Sequence, residues 1–168
     1  MKHENGFTLL EMMVVISIMG VLAAMAIPSY VGTMSTRRLT SATDELIAAC
    51  YLARMRAVRE NANVAVLFAP GNDRYSVFID NGAGANAGND QLDADEPIIQ
   101  QGILPAGIDM YETDFVNNTV AYNGRGFLVG NTGSTHLRNA KNEYMGLTVN
   151  IAGRPRFVTS SDAGGTWN

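Results

Sequence analysis

The feature that most constrains this chain is one long greasy stretch near its start. After the polar residues 1–6 (MKHENG), the run FTLLEMMVVISIMGVLAAMAI covers residues 7–27, and only Thr8, Glu11 and Ser17 interrupt its apolar character. As a helix it is about 31 Å long at about 1.5 Å per residue, which matches a bilayer core. Three fates are open to such a run. It is removed as a secretory signal peptide at the small-x-small site Ala24-Met25-Ala26, it stays as a single-pass anchor, or it begins in the membrane and is later extracted into an assembly.

Glu11 counts against the signal peptide. A carboxylate five residues into the apolar run costs about 2.5 to 3.5 kcal/mol at the bilayer centre, and an acid placed there normally has a partner and a task. Glu4, in a leader whose only basic residue apart from His3 is Lys2, also weakens the positive region that a signal peptide uses.

Gly6-Phe7-Thr8-Leu9-Leu10-Glu11 followed by an apolar stretch resembles the processing site of type IV prepilins and type II secretion pseudopilins. The resemblance implies that a prepilin peptidase cuts between Gly6 and Phe7, that the new N-terminal Phe7 is N-methylated, and that Glu11 is the acid retained at the fifth mature position. The pattern also makes physical sense by itself. Once cut, the Phe7 amine lies one helical turn from Glu11, and the opposite charges make apolar surroundings tolerable for both. Pairing the amine of one subunit with Glu11 of a neighbour would fix the axial register of packed helices.

Charge decides orientation poorly. Lys2 stands before the run and Arg37 and Arg38 stand beyond it, so a positive-inside count favours the reverse of the topology that the resemblance implies. That topology is a single pass through the bacterial inner membrane with the C-terminal domain in the periplasm. Pro28 is expected to bend the helix or to mark where it leaves the membrane.

Charge and glycine divide the remainder. Residues 37–60 carry five Arg against Asp44, Glu45 and Glu60, residues 61–120 carry Arg74 against nine acids, and residues 121–168 carry five basic residues against Glu143 and Asp162. The net charge of −4 and a pI near 5.1 argue against wholesale coating of nucleic acid, although the basic last quarter leaves a local contact open. Of the 17 glycines, 14 lie beyond residue 60, so that part is rich in loops.

From about residue 29 to 62, Leu39, Ala42, Leu46, Cys50, Ala53 and Ala57 recur at helical spacing, which predicts an amphipathic continuation of the first helix. Its apolar stripe needs a β layer to cover it. β-type runs follow at 63–68, 74–79, 97–104, 119–122, 126–129, 144–151 and 154–159, separated by turn sequences such as Pro70-Gly71-Asn72-Asp73, Asn123-Gly124 and Ala152-Gly153. The expected fold is α+β, with a long, partly transmembrane N-terminal helix packed on an antiparallel, β-sandwich-like C-terminal domain. The expected divisions are a leader at 1–6, a membrane and assembly helix at 7–28, its amphipathic continuation at 29–62 and a glycine-rich β domain at 63–168.

This layout resembles the GspH/FimT family of minor pseudopilins and minor pilins. The likeness extends to the segment from Asp80-Asn81-Gly82 to Asp93-Ala94-Asp95-Glu96-Pro97-Ile98 and to Gly153-Arg154-Pro155-Arg156. It implies a filament subunit placed near a filament tip, with other pilins or pseudopilins, the prepilin peptidase and the inner membrane as partners.

Candidate sites beyond the leader are few. His3 lies in the leader and His136 stands alone, so no nucleophile-His-acid set and no histidine metal site assembles, and no enzyme is expected. The segment 80–96 holds Asp80, Asp90, Asp93 and Asp95, a composition able to wrap calcium, but its spacing does not fit an EF-hand loop, and a solvated hairpin loop is the expected reading, with no cofactor. Arg154 and Arg156, two apart on a predicted strand, project from one face, and Pro155 marks that strand as an edge. Arg138 and Lys141 are candidate neighbours. In FimT-type minor pilins a GRxR motif of this kind contacts DNA during uptake, so the resemblance makes DNA a candidate partner. The plainer alternative is that the two Arg solvate an edge. Cys50 is the single Cys and is expected to be a small buried hydrophobe. Trp167 is left open between stacking on a base and capping the core.

Overall fold

The computed structural model describes residues 7–81, 88–160 and 165–167, the side chains of 25–32 excepted. One helix, α1 (Leu9–Glu60, 52 residues), is followed by nine strands: β1 (Val64–Ala69), β2 (Arg74–Ile79), β3 (Ile98–Ile103), β4 (Ile108–Thr113), β5 (Thr119–Tyr122), β6 (Leu128–Val129), β7 (Gly133–Asn139), β8 (Tyr144–Val149) and β9 (Pro155–Ser160). The chain divides into two compact units, Met1–Met34 and Ser35–Asn168. The helical backbone of α1 runs through Pro28 without a break.

α1 ends on a left-handed residue. Asn61 takes φ 49°, and the Ala62 N–H donates to the Ala57 carbonyl at 3.2 Å. This six-to-one bond closes a Schellman cap, with Asn in the position usually held by Gly. The turn at Gly124 approaches this cap so closely that a Cβ there would lie 2.6 Å from Asn61 Oδ1.

All strand pairs are antiparallel. They form a five-stranded sheet in the order β3-β2-β1-β5-β6 and a four-stranded sheet in the order β4-β7-β8-β9. One core joins three surfaces. Leu39, Ala42, Leu46, Cys50, Ala53 and Ala57 come from α1, Val64, Val66, Phe68, Val77, Val120 and Tyr122 from the first sheet, and Met110, Leu137, Leu147 and Val149 from the second. The helix contributes mostly small residues to it. The other face of the first sheet carries a second, smaller cluster of Ala65, Phe78 and Ala121, packed by Leu67, Leu92 and Val129. The fold is therefore α+β, with the predicted helical stripe covered by antiparallel sheets.

Cys50 is fully buried, and burial pushes its thiol up to about 12. Tyr75 is also buried. Its hydroxyl donates to Glu45 Oε1 at 2.8 Å and accepts from Gln100 Nε2 at 2.9 Å, which bonds β2, β3 and α1 through one oxygen.

Two strands, β4 and β7, occupy stretches that the sequence pattern leaves between its β-type runs. β4 is hidden by a bulge between Met110 and Glu112 that breaks its alternation. β7 reads Gly-Ser-Thr-His-Leu-Arg-Asn, in which Leu137 is the only large aliphatic side chain. The positions of β9 and β3 at sheet edges agree with Pro155 opening the former.

Candidate functional site

Three places hold the candidate residues. At the start of α1, Thr8 caps the helix: its Oγ1 accepts the Glu11 N–H at 3.2 Å, and its carbonyl accepts the Met12 N–H at 3.2 Å. Thr8-Leu9-Leu10-Glu11 has the spacing of a capping box, with Glu11 in the first turn, where the helix dipole favours an acid. Phe7 is exposed beside it. Gly6, the other half of the expected processing site, lies outside the described residues. Among the described residues no helix is long and apolar enough to cross a membrane. The apolar run read from the sequence continues into residues 25–27, whose side chains are outside the described set.

The second place is the acidic segment after β2, of which residues 82–87 lie outside the described residues. Two of its carboxylates, Asp80 and Glu96, are turned onto the backbone. Asp80 is 3% exposed and accepts the Gly88 N–H at 2.8 Å on Oδ1 and the Asp90 N–H at 3.0 Å on Oδ2. Glu96, 6% exposed, accepts the Asp93 N–H at 3.0 Å, and Asp93 accepts the Asn89 amide at 2.9 Å. Desolvation, and then the charge of Asp80, raises the Asp90 carboxyl above the ordinary Asp range. Asp95 is exposed. Among the described residues no group of three or more His, Cys, Asp or Glu side chains is arranged to hold a metal. The expected solvated loop is thus corrected at both ends: Asp80 and Glu96 are buried staples, and Leu92 is packed against the first sheet.

The third place is the face of the second sheet that points away from the core. Register assigns its residues. Arg156 lies opposite Thr148, which lies opposite Ser134; Val158 follows with Gly146, His136 and Glu112; Ser160 follows with Tyr144, Arg138 and Asp109. The β8–β9 hairpin closes through Asn150, whose N–H donates to the Arg154 carbonyl at 3.2 Å and whose Oδ1 accepts the Arg154 N–H at 3.0 Å. Arg156 is on the outward face of the edge strand β9, and Arg154 precedes that strand in the closing turn, so the expected strand that carries both begins one residue later; both are exposed. Gly153 permits the turn at φ +69° and packs on Tyr122 and Leu128. Arg138 lies four residues further along the sheet than the Arg156 row, about 13 Å away. Its guanidinium is committed to Asp109 at 2.6 Å and 2.7 Å, and this hydrogen bond raises it further above its ordinary range. Lys141 stands in the β7–β8 turn, where its N–H donates to Asn139 Oδ1 at 2.9 Å. The register thus places Arg156 and Arg138 at opposite ends of this face, with Arg154 in the turn beside the one and Lys141 in the turn beyond the other.

Between the two ends lies a cluster that the sequence does not reveal. His136 is stacked on Trp167, with ring centroids 4.0 Å apart and planes at 7°. The bulge in β4 turns Tyr111 to the same side, 6.1 Å from His136 and edge-on to Tyr144 at 5.9 Å, with Arg138 5.5 Å over its ring. Trp167 neither enters the core nor stands free, and His136 has neighbours on three sides.

Comparison with known proteins gives a consistent picture. A fimbrial protein of Pseudomonas aeruginosa is 35% identical over 77 residues, which cover 46% of this chain and 49% of that protein. A type IV major alpha-pilin of Moraxella bovis is 46% identical over 48 residues, 29% of this chain and 30% of that protein. The chain thus spans about half or less of the length of the curated relatives it matches. Among solved structures, the minor pseudopilin EpsH from the type 2 secretion system of Vibrio cholerae shares the fold with TM-score 0.54 at 12% identity, covering 73% of this chain and 98% of that one. The type IV minor pilin FimU of Pseudomonas aeruginosa does so with TM-score 0.54 at 17% identity, covering 74% and 90%. The prokaryotic N-terminal methylation motif matches residues 1–27. The family described as type II transport protein GspH matches residues 42–153, two thirds of the chain, and the chain belongs to that family.

Proposed function

We propose that this subunit is cut by a prepilin peptidase between Gly6 and Phe7, spans the inner membrane once with its sheets in the periplasm, and joins a helical filament near the tip. The filament is a type II secretion pseudopilus or a type IV pilus. The observation that carries this reading is the surface of the first half of α1. From Phe7 to Leu22 every large apolar side chain is exposed, from 46% at Val15 to 78% at Leu9. Such a rod needs lipid or other apolar rods around it. Further along α1, Tyr51, Met55 and Val58 form an exposed stripe at helical spacing, beside Arg54 and Arg59, suited to a neighbouring subunit. This is the chemistry of a building block rather than of a catalyst. Within it, the Phe7 amine of one subunit pairs with Glu11 of the next and sets the axial register.

The test is Glu11→Ala in cells that make the filament. Folding and membrane insertion are expected to be unchanged, and recovery of the variant in sheared filaments is expected to fall. Undiminished recovery would overturn the register mechanism, and a mature N-terminus at Ile27 by mass spectrometry would overturn the processing.

A second reading, that the same subunit contacts DNA during uptake, is favoured by one observation. Arg154 and Arg156 are exposed two residues apart at the β8–β9 turn, and among the described residues neither forms an ion pair. Two guanidiniums of this kind suit phosphate contacts that carry no sequence information.

A further inference from the structure

The outward face of the second sheet holds a buried polar atom without a partner. His136 is 5% exposed, and its Nδ1 is buried with no hydrogen-bond partner. The nearest acid is Glu112, whose Oε2 lies 3.5 Å from that nitrogen, within ion-pair range once the ring is charged. One flat side of the imidazole is covered by Trp167. The indole gains access through a gap in the sheet, because position 146, between His136 and Val158 in the register, is Gly. A Cβ there would meet the Thr135 carbonyl and lie 3.1 Å from the His136 ring. A bridge between Ser160 and Trp167 holds the indole-bearing residue along the edge strand.

We propose that Trp167 and His136 form a proton-operated clasp, in which charging the imidazole tightens the docking of the segment that carries Trp167. The groups that face the ring support the sign. From β4, Glu112 attracts a charged imidazole, and Tyr111 offers it an aromatic ring. From the segment at 165–167, Trp167 presents its π face at stacking distance, an interaction that strengthens when the partner becomes a cation. Arg138, on the same strand, opposes the charge, but its own charge is neutralised by Asp109. Tyr144, on β8, packs edge-on to Tyr111. Proton uptake puts a positive charge on the ring 3.5 Å from the Glu112 carboxylate and a cation under the indole. As pH rises and the proton leaves, both interactions weaken, the indole lifts, and Tyr111, His136 and Tyr144 are uncovered.

The chain has a single Trp and two His, so one fluorophore reports the clasp directly. The full chain in detergent micelles is titrated from about pH 8 to about pH 5, where imidazoles ordinarily change charge, with indole emission and acrylamide quenching followed together. Emission is expected to fall on acidification, because a stacked imidazolium quenches indole, while acrylamide access falls as well. In His136→Gln, which keeps His3, the pH-dependent step is expected to vanish. In Glu112→Gln, at a half-exposed position that leaves packing intact, the step is expected to move to lower pH. A wild-type profile that matches His136→Gln would overturn the clasp. If His136→Gln does not fold, wild-type acrylamide access that is equal at both ends of the titration, or a Glu112→Gln step that does not move, would overturn it equally.

Discussion

Thr36 on α1 donates its hydroxyl to Glu143 Oε2 at 2.8 Å, and Asn139 donates its amide to the same oxygen at 2.6 Å. One carboxylate in the β7–β8 turn therefore ties the helix to the second sheet across 107 residues of sequence. The Thr36 bond, followed by that of Asn139, holds the Glu143 carboxyl below the usual Glu range. A carboxylate lowered in the folded state stabilises above its unfolded value of about 4.3, and the contribution disappears as pH falls through the lower folded value. Thr36→Val is expected to cost about 1 kcal/mol or less at pH 7, given the partial exposure of the pair. It is also expected to flatten the loss of stability below about pH 4.3. Denaturant unfolding of both proteins at neutral and acid pH measures this.

Cys50 will be chemically silent in the folded chain. It is fully buried, and its thiol is raised to about 12, so the reactive thiolate is scarce at any pH the fold tolerates. A thiol reagent at pH 8 is expected to label none of the native protein and one group per chain in denaturant. Rapid labelling of the native state would show that α1 opens from the sheets.

Gly153→Ala tests the hairpin that presents Arg154 and Arg156. The added Cβ would stand 3.0 Å from Tyr122 Cε1 and 3.2 Å from the Leu128 nitrogen, at a φ of +69° that disfavours Ala. A loss of about 1 to 3 kcal/mol is expected from the combined strain and crowding. Thermal unfolding reads it, and a stability equal to wild type would mean that the turn relaxes.

For the DNA reading, Arg154→Ala with Arg156→Ala is expected to weaken retardation of duplex DNA equally across sequences. It is also expected to reduce the salt slope by about 2, one unit for each phosphate that a guanidinium no longer neutralises. Equal retardation of variant and wild type by gel shift at two salt concentrations would remove that reading.

What the sequence makes legible follows from how local the signal is. The alternation of Val64, Val66 and Phe68 and of Tyr75 and Val77 announces β1 and β2, since every second residue faces the core. β7 announces nothing, because its core-facing positions Gly133, Thr135, Leu137 and Asn139 are mostly small or polar, and its other face carries His136 and Arg138. In β4 the bulge at Tyr111 shifts the period, so Ile108 and Met110 read as a fragment. The same rule governs the sites. Arg154 and Arg156 fall in one hairpin and are visible as a pair. His136 and Trp167 meet only after β7 pairs with β8 and β8 with β9, and no spacing in the chain encodes that meeting. The apparent solvation of the acidic segment fails for a related reason. Composition counts carboxylates but does not show that Asp80 points inward to two backbone N–H groups.

Those two bonds from Asp80 decide what the first sheet shows to its surroundings. They anchor the segment whose Leu92 shields Ala65, Phe78 and Ala121, a patch that would otherwise be a flat, sticky wall open to any passing strand. The acidic strap thus acts as a gatekeeper for that sheet face.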